Sequence, residues 1–300
     1  MAVHIPMALW FISLVDSIAT LPYLGALMRL VRRWRGRPAA GPQDAAQVAG
    51  RTVAQAVADG ELRLLYQPIV RLADRSVVAV EALVRWQHPT LGLITPDRFL
   101  PAADHGGHLA LLDRWVLNRA CADMAALAAS LGHAAPAHVN VNLSAATLAT
   151  DFTGMVTAAL REAGLAAHRL RLELCEGADL KTLVHAGPRL EKLIRHGVSV
   201  ALDDMGAGST DLRYLSRLAI QGIKIDKEFV AGMLHNPRDH AIVKMLTDMA
   251  HTLGLHVTAE GVETREQLAA LARVGVSFAQ GYHLALPLTL TALTGALVAE

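Results

Sequence analysis

Cysteine is nearly absent: Cys121 and Cys175 are the two among 300 residues, far apart and without CxxC spacing. That excludes a disulfide framework and suits a reducing cytosol. Histidine is common, at 14 residues, yet there is no HExxH and no His/Cys cluster, so none is assigned to a metal. A lone imidazole beside a strand, such as His138 or His256, reads as a packed or surface residue. An excess of one charge is also missing. Twenty-eight basic against 27 acidic residues leave +1, which excludes the basic surface that a nucleic-acid polymer needs. Charged residues are scarce at 18% beside 53% hydrophobic, so a large core is expected together with some interfacial material.

Residues 5–28 are strongly apolar and are followed by Arg29, Arg32, Arg33, Arg35 and Arg37. A cleaved signal peptide carries its positive charge before the apolar stretch, so this is not one. The positive-inside rule would leave everything after the cluster in the cytoplasm, anchored to the inner membrane if the segment spans. Its Leu, Ile, Phe and Val residues favour insertion by about 3–6 kcal/mol, against which Asp16 costs about 2.5–3.5. Ser13, Asp16, Ser17 and Thr20 share one helical face, as a helix contact or the wet side of an interfacial helix would require. Residues 1–35 are therefore expected to form a hydrophobic helix and candidate membrane anchor, with a lost-domain remnant as the alternative. Residues 36–44, rich in Gly, Pro and Ala, read as a linker, and 45–300 as the folded body.

What the body does contain is a row of short apolar runs, each ending in a carboxylate or carboxamide. Residues 77–80 deliver Glu81, 139–141 deliver Asn142, and 170–172 deliver Glu173. Residues 198–202 deliver Asp203 and Asp204, 223–225 carry Lys224 and deliver Asp226, and 256–259 deliver Glu260. Such runs read as buried strands. In a parallel α/β barrel, side chains at the strand C-termini converge on one mouth. Hard oxygen ligands gathered there suit Mg²⁺ or Mn²⁺ rather than zinc. Helix capping explains any one of these acids well and the whole row poorly.

Strand-like residues 61–70 and 76–84 are separated only by 71–75, a connection too short for parallel strands. Beyond Arg85, strand candidates 138–143, 169–174, 198–203, 222–226, 256–260 and 277–281 alternate with helix-period segments. Those segments are 107–131, 147–163, 179–196, 211–218, 238–253 and 264–274. The expected fold is α/β, a TIM-like (β/α)8 barrel with the first strand antiparallel. An open doubly wound sheet would gather ligands at one switch point, not at nearly every strand end.

The tripeptide Glu81-Ala82-Leu83 opens EALVRWQHP, and the chain also reads YQPIV at 66–70, VNLS at 141–144 and ELCE at 173–176. ALDDMGAG follows at 201–208, IKIDKEFV at 223–230, AEGVET at 259–264 and QGYHLALP at 280–287. In this order the motifs resemble the EAL domains, bacterial phosphodiesterases that hydrolyse the second messenger cyclic di-GMP to linear pGpG. The resemblance implies that Glu81, Asn142, Glu173, Asp203, Asp204 and Glu260 hold two divalent cations, Mg²⁺ or Mn²⁺. Asp203 would bridge them, Lys224 would hold or polarise the attacking water, and Glu81, Asp203, Glu260 and Lys224 would form the catalytic set. Gln67, Leu83, Arg85, Asp226, Glu263 and Gln280 match substrate-contacting positions. Two cations about 3.5–4 Å apart can activate water, neutralise a phosphodiester and stabilise the leaving oxygen.

Where the family reads D-D-F-G-[TA]-G-Y-S-S-L, this chain has Met205, Ser209 and Asp211 at altered positions. Cys175 and Gly177 replace a threonine and a serine. In the family this loop shapes the metal site and joins subunits in a homodimer, anchored by the glutamate matching Glu176. With Glu176, Gly206 and Gly208 kept, a weakened rather than lost loop is expected. A receptor that holds cyclic di-GMP without cleaving it, and a pseudoenzyme acting through protein contacts, remain the alternatives to hydrolysis. No cyclase or sensor domain fits before residue 45, so regulation is expected from the N-terminal segment, dimerisation or a separate protein.

Overall fold

The computed structural model describes residues 51–175, 180–206 and 218–298. Residues 1–50, with the expected anchor and linker, lie outside them, as do Glu176, Ser209, Asp211 and nearly all of the expected helix 211–218. Among the described residues, no helix is long and apolar enough to cross a membrane.

The chain enters through α1 (Val53–Ala58), held by a Thr52–Gln55 capping box, and crosses the barrel as β1 (Leu62–Arg71). A tight turn returns it as β2 (Val77–His88), paired antiparallel from Leu62↔Trp86 to Val70↔Val77. A three-residue strand, β3 (Gly92–Ile94), folds back onto β2. Two helices follow, α2 (Pro96–His105) and α3 (Leu109–Leu131). The alternating part then runs β4 (His138–Leu143), α4 (Ala145–Leu148), α5 (Thr153–Ala163), β5 (Leu170–Cys175), α6 (Leu180–Arg195) and β6 (Ser199–Met205). It continues as β7 (Gly222–Ile225), α7 (Lys227–Gly232), α8 (Pro237–Thr252), β8 (His256–Ala259), α9 (Arg265–Val274), β9 (Phe278–Ala279) and α10 (Leu290–Val298).

The sheet order β1-β9-β8-β7-β6-β5-β4-β2 closes through β1–β2 into an eight-stranded barrel. β1 runs antiparallel to both neighbours, and the other barrel pairings are parallel. The short 71–75 connection dictated that arrangement. The helical stretch expected at 107–131 is α3, and α2, which starts at Pro96, adds a helix ahead of it. Pro101 breaks the helical pattern by removing one rung, but burial of Phe99 and Ala103 holds the turn.

Strand alternation divides the core in two. Val80, Val139, Val141, Leu172, Val200, Leu202, Ile223, Ile225 and Val257 point outward and are buried beneath the helices. The opposite face lines the barrel. Toward its C-terminal end that face carries Glu81, Asn140, Asn142, Glu173, Asp203 and Lys224, where barrels of this kind ordinarily pack branched apolar chains.

Candidate metal and active site

Lys224 is the hub. Its strand neighbours Ile223 and Ile225 bury outward, which forces the lysine inward, where it is 1% exposed. Nζ lies 3.0 Å from Glu173 Oε2, 3.2 Å from Glu81 Oε2, 3.2 Å from Asp203 Oδ2 and 2.6 Å from Glu260 Oε1. The remaining oxygens are also placed. Asn142 Nδ2 donates to Glu81 Oε1 at 2.9 Å, Asn140 Nδ2 to Glu173 Oε1 at 2.6 Å, and Gln280 Nε2 to Glu81 Oε2 at 2.7 Å. Gln280 also donates to Gln67, whose own amide donates to the Ala285 carbonyl.

Adjacent strand residues point to opposite faces, so Asp203 and Asp204 cannot both enter the site from a regular strand. The β6–β7 register slips between Leu202 and Met205, and Asp204 takes φ +56, a left-handed conformation that aspartate tolerates. The backbone N–H of Asp204 donates to Asp203 Oδ1 at 2.9 Å. Both carboxylates thereby reach the mouth. Glu81, Glu173 and Asp203 offer oxygens within 4.8 Å of one another, and Asp203, Asp204 and Glu260 do the same. Asp203 belongs to both groups.

The electrostatics are those of a crowded anion site. Burial raises Glu173 and Asp203, and burial with its Asp203 neighbour pushes Asp204 up to about 6. Glu260 is raised to about 8, again chiefly by burial. Glu81 is lowered: burial alone would raise it, but Lys224, Gln280 and Asn142 outweigh that. Burial opposes the Lys224 charge, yet the surrounding carboxylates raise it well above the usual lysine range. Five carboxylates against one ammonium leave a formal −4 if all are ionised, a charge that two divalent cations would offset in full. The donors are all hard oxygens, so the residues present fit Mg²⁺ or Mn²⁺.

The other expected site residues are spread around this centre. Gln67 and Gln280 join it directly. Leu83 and Arg85 follow Glu81 on the same face of β2 and are half-buried, with Arg85 donating to the Val84 carbonyl at 2.8 Å. Asp226 is buried just past β7, and its side chain caps α7 by accepting from Glu228 N at 2.7 Å. For Asp226 the capping explanation holds, although its charge also helps to raise Asp204. Glu263 is exposed where α9 begins, its backbone N–H bonded to Gln267. Glu176 lies outside the described residues.

Two contributors were not anticipated. Asn140, two residues before Asn142, braces Glu173; the V-N-V-N alternation would have shown that both amides share a face. Asp113, buried on α3, accepts from Ser144 N at 2.9 Å, Ser144 Oγ at 2.7 Å and Thr147 Oγ1 at 2.6 Å. It thus ties down the turn that follows Asn142, and no sequence spacing links it to that turn. Asp113→Ala strands those donors and is expected to cost about 1–3 kcal/mol, measurable by urea denaturation.

The loops beyond β8 and β9 close against each other. Val262 N donates to the Gln280 carbonyl at 3.0 Å, and His283 N donates to the Val262 carbonyl at 2.9 Å. A Cβ on Gly281 would lie 2.2 Å from both the nitrogen and the oxygen of Val262. Backbone cannot yield as a side-chain tip can, so Gly281→Ala is expected to lower stability by roughly 1–3 kcal/mol. Thermal unfolding checks this, and reduced activity should accompany it because Gln280 is displaced from Glu81.

The Pseudomonas aeruginosa protein named cyclic di-GMP phosphodiesterase NbdA is 44% identical over 240 residues, 80% of this chain and 30% of NbdA. A signaling protein of Caulobacter vibrioides is 40% identical over 245 residues, 81% of this chain and 30% of that protein. The chain therefore spans 30% of the length of these curated relatives. Among solved structures, the PaMucR phosphodiesterase in complex with cyclic di-GMP superposes with a TM-score of 0.76 at 37% identity, covering 80% of this chain and 97% of that one. The FimX EAL domain of Pseudomonas aeruginosa, bound to cyclic di-GMP, gives 0.71 at 27% identity, covering 81% and 96%. The EAL domain model matches residues 51–287, well over half of the sequence, and the chain belongs to the EAL domain family.

Proposed function

We propose that this chain hydrolyses cyclic di-GMP to linear pGpG at the mouth of the barrel. The observation that carries the reading is the convergence of Glu81, Glu173, Asp203 and Glu260 on the buried Lys224. The matched family and its named relatives support it. Glu81, Asn142, Glu173, Asp203, Asp204 and Glu260 would hold two divalent cations, which supply Lewis-acid stabilisation of the charge that builds on the phosphodiester.

The chain's own groups do the rest. One water adds to phosphorus as one P–O bond breaks, the water giving up a proton and the departing ribose oxygen gaining one. Lys224, whose three N–H donors are shared among four carboxylates, would turn one of them to that water once the carboxylates take up cations. Arg85, half-buried beside the mouth, provides a cation for the second phosphate, and Leu83 an apolar contact for the guanine faces. Gln280, itself bonded to Gln67, fixes the Glu81 carboxylate, and the two amides with Asp226 and Glu263 complete the substrate contacts.

The test supplies the full chain with cyclic di-GMP and either Mg²⁺ or Mn²⁺ and follows product by chromatography. Linear pGpG that disappears on chelation is expected. Tight binding with no product would replace hydrolysis with a receptor role. Attachment to the inner membrane through residues 5–28 is a separate part of the proposal. It is abandoned if the full chain and a 45–300 fragment are equally soluble on fractionation.

A further inference from the structure

The opposite end of the barrel interior has a chemistry of its own. Arg171 faces inward on β5, two residues toward the floor from Glu173. Its Nε is buried without a hydrogen-bond partner, and no carboxylate pairs with its guanidinium among the described residues. Glu173 lends it electrostatic support, but its oxygens hydrogen-bond Asn140 and Lys224 and not the guanidinium.

Two imidazoles enter the same space from strand starts, His138 on β4 and His256 on β8. The Nε2 of His138 is likewise buried and unpartnered. Burial and the nearby Arg171 and His256 charges hold His138 down at about 3, which places the three groups within electrostatic reach of one another. His256 is exposed, so this floor is open to solvent. The inward positions Ser199 and Gly222 are small, while the Phe278 ring packs edge-on against His256 with centroids 5.6 Å apart. A buried donor without an acceptor is costly, and here two orphaned nitrogens lie at a floor that opens to solvent.

We propose that the barrel floor binds a small oxyanion of the phosphate class, with Arg171 as the charged donor and His138 and His256 flanking it. A guanidinium fork matches the geometry of a phosphate oxygen pair, and the unmet nitrogens would find an acceptor there. The site lies at the other end of the barrel from the catalytic mouth and does not rest on the proposed hydrolysis.

The experiment titrates the full chain, with divalent cations removed by chelator, with inorganic phosphate against chloride at equal ionic strength, by calorimetry and thermal unfolding. Phosphate should bind and raise the unfolding midpoint of the wild type. Arg171→Met should weaken binding by at least ~10-fold, the scale of a charge-assisted hydrogen bond. His256→Ala, at an exposed position that does not threaten folding, should weaken phosphate several-fold, whereas Arg85→Ala at the mouth should bind as the wild type does. The idea is overturned if phosphate has no effect beyond chloride, if Arg171→Met retains it, if His256→Ala leaves it unchanged, or if Arg85→Ala alone abolishes it.

Discussion

Lys224→Ala is expected to lower cyclic di-GMP turnover by about 10²–10³-fold, the range for loss of one preorganised hydrogen-bond donor at a reacting centre. The lysine is 1% exposed and touches four carboxylates, so no surface residue can replace its ammonium. In chelator the variant should also lose roughly 3–5 kcal/mol of stability, because four buried acids are left without their cation. Divalent ions should restore much of that stability, and cation affinity should be equal to or higher than that of the wild type, since a competing positive charge has gone. This opposite movement of metal binding and turnover separates a role in handling the water from a merely structural one. Product formation at saturating Mg²⁺ and substrate, read beside calorimetric cation binding, measures both. Turnover within ~10-fold of the wild type would remove Lys224 from the mechanism.

Much of this centre could be read from the chain because a strand repeats every two residues. A lysine between Ile223 and Ile225 has one face to choose, and that face also receives Glu81, Asn142 and Glu173. The antiparallel β1 followed equally directly from a five-residue connection. What escaped notice depends on contacts distant in sequence. Asp113 braces the turn after Asn142 from a helix some 30 residues earlier, and nothing local marks it. The joint entry of Asp203 and Asp204 depends on a register slip and a left-handed residue, neither of which side-chain alternation encodes. Asp226 shows the opposite limit. It stands at a strand end like its fellows, yet its carboxylate caps α7, as the capping argument holds for any single acid.

Asp203→Asn should be the most damaging of the ligand changes. Asp203 is the residue common to both oxygen groups, so its charge serves two prospective cations while that of Glu173 or Glu260 serves one. The amide keeps the shape and can still accept the Asp204 N–H, which preserves the turn. What changes is that one oxygen becomes an N–H₂ donor directed at a cation position. A loss of at least ~100-fold in affinity is expected, since changes to groups that merely support metal ligands already cost 10–100-fold. Binding linkage turns this into a stability measurement. Mg²⁺ at 100 times its dissociation constant stabilises the wild type by about 2.7 kcal/mol, and the same concentration at 100-fold weaker affinity by only about 0.4. Mg²⁺ should therefore raise the unfolding midpoint of the wild type clearly and that of Asp203→Asn barely, with turnover lost in parallel. Asn142→Ala, which touches Glu81 alone in this cluster, should fall between them. A variant that kept both the midpoint shift and a binding stoichiometry of two would mean that the shared carboxylate is not what joins the two cation positions.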